Sequence, residues 1–215
     1  MAARYPQINY RLEFESDFHI GSGLGTSSTD DATARDSFGH IYIPSSTIKG
    51  VVRDGVEHVV RALWPDEARR ERAVFDIFES SALGPRWHFS DARPIYWDFS
   101  LRQSEGDVSL ALIDSERVQS ARVSIDYSLG RAAEKKLFFL EDGNSSLEMA
   151  GHIRCVVPWN GDDADQEQQV LLLKAGLLWA RSLGHGRRRG AGACLFKLEE
   201  TEGIAEGLKA VSSSQ

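Results

Sequence analysis

Ile41-Tyr-Ile-Pro-Ser-Ser-Thr-Ile-Lys-Gly-Val-Val-Arg53, continuing to Leu63, is the stretch from which the fold of this 215-residue chain is read. Ile41-Tyr-Ile reads as a short strand running into Pro44. Pro44-Ser-Ser is a helix-start signal, with Ser45 or Ser46 as the N-cap. Ile48, Val51, Val52, Val59, Val60 and Leu63 then fall at helical spacing on one face. Gly50 and Gly55 weaken this helix locally, which predicts close packing against another element there.

Outward from this helix the chain alternates between two periods. Ile8, Tyr10, Leu12 and Phe14 alternate with polar residues, the pattern of a half-buried strand. Gly21 to Asp36 is a long loop of Gly, Ser, Thr and Asp. Downstream, Trp87 to Asp91, Arg122 to Asp126 and Gly151 to Val157 read as strands. Gln168 to Leu183 reads as a second, buried helix. A Gly/Arg loop spans Gly184 to Gly192; Cys194, Phe196 and Leu198 alternate in a last strand, and the tail from 201 to 215 is expected to be loosely ordered. The order strand, helix, strands, helix, strand is the β-α-β-β-α-β, ferredoxin-like arrangement of the α+β class, with insertions. One domain over 1–200 is expected.

Composition narrows the function. Lys and Arg number 25 against 32 Asp and Glu, a formal charge of -7. This speaks against a free-standing, non-specific nucleic-acid binder and leaves a local basic site open. Cys155 and Cys194 form no Cys-x-x-Cys pair, so a structural zinc site is not expected, and two reduced buried thiols are the simplest reading. The longest apolar stretch, Val170 to Leu183, is broken by Lys174 and Arg181, too polar to span a bilayer. No membrane association is expected, and the cytoplasm is the expected compartment.

Three constellations carry chemistry. The helix start brings free backbone N–H groups together with Ser46 and Lys49, and Arg53 lies four residues on, along the same face. This is a ready anion site suited to an RNA phosphate; the same residues also describe a well-capped helix with a solvated basic stripe. In the second, Arg187, Arg188 and Arg189 are framed by glycines that let the backbone approach a sugar-phosphate chain; they can equally hold the acidic run at Asp162 to Asp165. In the third, Asp30 and Asp31 sit in the long early loop, where paired carboxylates can bind a divalent cation or accept a proton from a ribose hydroxyl, or simply form an Asp-rich turn.

Taken in order, His19-Ile-Gly-Ser-Gly, Arg35-Asp36-x-x-Gly39, Tyr42-Ile-Pro to Arg53, Phe75-Asp-Ile-Phe78, His88-Phe-Ser-Asp91, Arg122 to Asp126, Lys136 to Glu141 and Gly184 to Gly192 resemble the repeat-associated mysterious protein (RAMP) superfamily. More narrowly, they resemble the backbone subunit of type III CRISPR effector complexes. The resemblance implies an RNA recognition motif-like core with a projecting thumb hairpin, here within about 99–119. It implies guide RNA (crRNA), target RNA, other effector subunits and further copies of the chain as partners. Ser46, Lys49, Arg53, Arg122 and Arg187 to Arg189 become RNA-binding candidates. It further implies an endoribonuclease that cuts target RNA by attack of a 2′-hydroxyl on the adjacent phosphate, assisted by transiently bound Mg2+ or another divalent cation. The matching carboxylate is Asp30, with Asp31 one residue away. Two other roles fit the family: a non-catalytic guide-RNA scaffold, and a precursor-processing enzyme using His19 and His40.

Overall fold

In chain order the elements are β1 (Gln7–Phe14), α1 (Ser45–Leu63), α2 (Glu67–Phe78), β2 (Trp87–Phe89), β3 (Arg93–Pro94), β4 (Arg117–Asp126), β5 (Arg131–Gly143), β6 (Glu148–Cys155), α3 (Asp163–Trp179), β7 (Cys194–Leu198) and α4 (Ile204–Ser213). They come from a computed structural model that describes residues 5–22, 31–79, 85–95, 115–126, 131–157 and 163–213.

The alternation in β1 buries Ile8, Tyr10, Leu12 and Phe14 and leaves Gln7, Asn9 and Arg11 exposed. This strand sits inside a sheet of order β2-β6-β1-β7, with β3 also paired to β6. Every pairing is antiparallel, with Tyr10 opposite Gly151 on β6 and Leu198 on β7. The result is a mixed α/β fold whose buried strand face shares one core with the helices. Ile48, Val52 and Val56 of α1 meet Leu172, Leu173 and Leu177 of α3 in that core, beside Leu12, Met149 and Ile153 of the sheet. Trp87 is buried within it, and its indole Nε1–H donates to Gln169 Oε1 at 2.9 Å, so the polar end of the ring is satisfied. Cys155 and Cys194 are buried and free. No helix among the described residues is long and apolar enough to cross a membrane.

Strands β4 and β5 form a separate two-stranded antiparallel ribbon, with a register irregularity between Val123 and Ile125. The expected thumb at about 99–119 falls mostly outside the described residues; 117–119 begin β4 of this ribbon, and 115 and 116 lead into it.

Three expectations are corrected and one helix is added. Ile41-Tyr-Ile is not a strand: Ile41 and Ile43 make only isolated bridges, to Arg35 and Ala92. The α1 N-cap is Pro44, with no side-chain cap of its own, because the Ser45 N–H is taken by Asp91 Oδ1 at 2.8 Å from a distant loop. The segment beyond Glu200 contains an ordered helix, α4, whose Ile204 is buried; Trp64 Nε1–H donates to Val211 O at 3.3 Å. Helix α2 was not expected. Its run Arg69-Arg-Glu-Arg72 masks a narrow apolar stripe of Val74, Ile77 and Phe78, and Asp66 caps it by accepting the Arg69 N–H at 3.2 Å.

Gly55 does mark a close approach. Helices α1 and α3 cross where a Cβ on Gly55 would overlap the Gly176 carbonyl, and one on Gly176 would lie 2.7 Å from Val56 Cγ2. Gly50 has open space around it. Gly55→Ala is therefore expected to destabilise the fold by roughly 1–3 kcal/mol through overpacking. Gly50→Ala should stabilise it by roughly 0.5–1 kcal/mol. Urea unfolding of the two variants checks both signs; a Gly55→Ala protein as stable as wild type contradicts the tight crossing.

Candidate functional site

The site is built where the chain leaves β1. Phe18 exchanges backbone hydrogen bonds with Gly143 at the end of β5, and the His185 N–H donates to the His19 carbonyl at 2.8 Å. Residues 31–35 return alongside: the Glu141 N–H donates to Asp31 O at 3.2 Å, and Ala34 N–H to Ile20 O at 2.8 Å. His19 is thereby enclosed by β5, the early loop and the Gly/Arg loop, and its side chain is only 2% exposed.

Both imidazole nitrogens face acceptors. Nδ1 lies 3.0 Å from the Glu141 carbonyl and 3.3 Å from Asp142 Oδ1, and Nε2 lies 3.0 Å from Asp31 Oδ2. A ring with acceptors at both nitrogens is satisfied only when both carry protons. The Asp142 contact contributes most to raising the His19 pKa to about 9; burial opposes it, and Asp31 and the Glu141 carbonyl reinforce it. Burial pushes the Asp142 carboxyl up, but His19, Ser120 and Arg122 together hold it below its usual value. Ser120 Oγ donates to Asp142 Oδ2 at 2.6 Å, and Arg122 Nη2 at 3.0 Å. Glu141 is ion-paired with Arg35 and lies 3.8 Å from Arg117.

Of the two loop carboxylates, Asp31 belongs to this site and Asp30 lies outside the described residues. The Asp31 side chain is partly exposed, whereas its Oδ1 is buried without a hydrogen-bond partner among the described residues. Among the described residues the Asp31 carboxylate is the partly exposed acid of this site, and no cluster of three or more His, Cys, Asp or Glu suited to a metal occurs among them.

The Gly/Arg loop packs directly on this cluster. Gly184 (φ +83°) has no room for a side chain against the His19 carbonyl. Arg187–Arg189 form a 3₁₀ turn between Gly186 and Gly190, both left-handed, and the three arginines are exposed with no ion pair among the described residues. The turn is held by Ser16, whose hydroxyl donates to Gly190 O at 2.7 Å. Arg122 reaches the loop as well, with Nη1 3.6 Å from where a Gly186 Cβ would stand.

The helix-start residues are placed differently. Lys49 Nζ donates to Phe78 O at 2.9 Å, satisfying a carbonyl at the end of α2. Arg53 pairs with Glu57 at 3.1 Å and Glu79 at 2.7 Å. Ser46 is exposed on the first turn of α1. Arg35-Asp36-x-x-Gly39 is a folded turn: Asp36 Oδ1 accepts the Phe38 and His40 N–H groups at 2.9 and 3.1 Å, and Gly39 takes φ +89°. His40 Nδ1 meets the buried Glu116 at 2.8 Å. Sequence reasoning missed the buried role of His19. The available signal was its place between the core residues Phe18 and Ile20, because a buried polar group needs partners.

The sequence profile of the RAMP superfamily matches residues 11–195, and the chain belongs to that superfamily. Its fold resembles a chain in a cryo-EM structure of the Type III-B Cmr-beta bound to cognate target RNA, with TM-score 0.64 and 9% identity over 94% of this chain and 98% of that one. It also resembles a chain in the apo state of Type III-B Cmr-beta, with TM-score 0.62 and 11% identity over 91% and 98%. No curated protein matches the sequence.

The charged state of His19 makes stability pH-dependent. A histidine whose folded pKa stands near 9, against about 6.5 unfolded, contributes its full stabilisation below pH 6.5 and loses it as pH rises through 9. About 3 kcal/mol should disappear between pH 6 and pH 9.5. His19→Gln should flatten that slope in urea titrations, and an equal slope in both proteins contradicts the assignment.

Proposed function

We propose that this chain is a guide-RNA-binding backbone subunit of a type III CRISPR effector complex that cleaves guide-complementary target RNA, working in the cytoplasm with crRNA, other effector subunits and further copies of itself. The RAMP membership and the likeness to Cmr-beta chains support this reading. So does the topology: β1-α1-β2 and β6-α3-β7 in a β2-β6-β1-β7 sheet is the ferredoxin-like pattern, with the β4–β5 ribbon as its insertion.

The observation that carries the catalytic part is the Asp31 carboxylate, held at 3.0 Å by buried His19, against whose backbone the Gly/Arg loop packs. Asp31 is the proton acceptor for a ribose 2′-hydroxyl. As the proton passes to Asp31, the 2′-oxygen bonds to the adjacent phosphorus and the bond to the 5′-oxygen breaks, that oxygen taking a proton from water. The arginines bind the phosphate whose charge grows in this step. Mg2+, held by the Asp31 carboxylate, would supply further neutralisation of the same charge. His19 is too enclosed to touch RNA and acts as a positioning residue. The partly exposed face of Asp31 points away from a purely structural loop, which favours the nuclease over a guide-holding scaffold.

The test is target-RNA cleavage by complexes reconstituted with wild-type, Asp30→Ala or Asp31→Ala subunits. Asp31→Ala should slow regularly spaced cuts by at least ~100-fold, with guide RNA still bound, and EDTA should stop the wild-type reaction. Cleavage lost only in Asp30→Ala moves the role to the neighbouring carboxylate. Intact target in every lane leaves a scaffold.

A further inference from the structure

The end of α3 carries a feature that the site above does not use. Trp179 is 54% exposed, an unusual setting for an indole. One face of it is covered by His58 of α1, stacked with ring centroids 5.5 Å apart and planes 19° apart. His58 is itself fixed, because its Nδ1–H donates to the Asp54 carbonyl at 2.8 Å. The pair opens onto a cleft of about 460 Å3 that Val51, Asp54, Arg181 and Arg187 also line. Arg181 and Arg187 are exposed and form no ion pair among the described residues. Arg187 is also the first residue of the arginine turn, whose loop packs on His19 through Gly184 and His185, so the cleft shares one residue with the loop beside the candidate site.

The geometry points to a nucleotide subsite in this cleft: a base of single-stranded RNA stacks on the Trp179–His58 platform, and its flanking phosphates lie on Arg181 and Arg187. The inference rests on the RNA-binding reading above and adds a base-stacking position to it. Two observations favour RNA over a protein partner. The aromatic surface is bordered by two arginines that form no ion pair among the described residues, whereas protein interfaces are depleted of charge at their centre. A pre-stacked, fixed ring beside arginines is the combination that sequence-independent strand binders use, each stacked base contributing enough for a several-fold to hundredfold change in affinity. Asp54 is the acid of the cleft, and its carboxylate lies 3.7 Å from His58 rather than beside either arginine.

Fluorescence anisotropy of the full chain with a fluorescein-labelled oligouridine tests this, with inorganic polyphosphate as a base-free competitor. Trp179→Ala should weaken oligouridine binding about tenfold without changing inhibition by polyphosphate, and Trp179→Phe should restore most of the loss. Arg181→Ala and Arg187→Ala should each lower the slope of log affinity against log salt by about one. Equal oligouridine affinity in wild type and Trp179→Ala overturns the subsite while the RNA-binding reading stands; absence of RNA binding by the wild-type chain overturns both. Unchanged RNA affinity with lost self-association in Trp179→Ala assigns the platform to a second copy and likewise overturns the proposal.

Discussion

A buried, doubly engaged imidazole organises this protein. His19 bridges the Glu141 carbonyl and Asp142 on one side and Asp31 on the other, and its backbone carbonyl receives the His185 N–H. One ring therefore sets the spacing between β5, the returning early loop and the arginine turn. Burying a charge is costly unless it is paired and hydrogen-bonded. Here both ring nitrogens have partners, and Asp142 is in turn supported by Ser120 and Arg122. The network leaves Asp31 Oδ1 buried without a hydrogen-bond partner among the described residues, while the Asp31 side chain as a whole stays partly exposed.

Two sets of cations differ in what they do. Lys49, Arg53, Arg35 and Arg93 are engaged in holding elements together: the end of α2, Glu79, Glu141 and Asp36. Arg181, Arg187, Arg188 and Arg189 are exposed and unpaired among the described residues, on or next to one glycine-framed turn. A chain with net charge -7 can hold RNA through such a local concentration, because affinity comes from the phosphates actually contacted.

Much of the fold was legible because it is written in periods. The alternation in β1 and β7 and the 3.6-residue spacing in α1 each follow from one buried face. What was illegible depends on contacts distant in sequence. Asp91 replaces a serine cap on α1 from 46 positions away. The face of α1 bearing Lys49 and Arg53 was correctly grouped, but its partner was α2, a helix hidden by its own charged run. In the site, Asp31 and the arginine loop were visible as residue types, whereas a lone histidine between Phe18 and Ile20 carries no periodic signal. Only the folded chain shows it meeting Asp31 and Asp142.

The most direct measurement of this account is 15N NMR of histidine-labelled protein, with the His19 resonances assigned by their loss in His19→Gln. The account predicts two protonated ring nitrogens on His19 at pH 7.5 and a titration midpoint near pH 9. A neutral His19 ring at pH 7.5, titrating near the ordinary histidine value of about 6.5, would contradict the charged bridge on which the placement of Asp31 and the arginine turn depends.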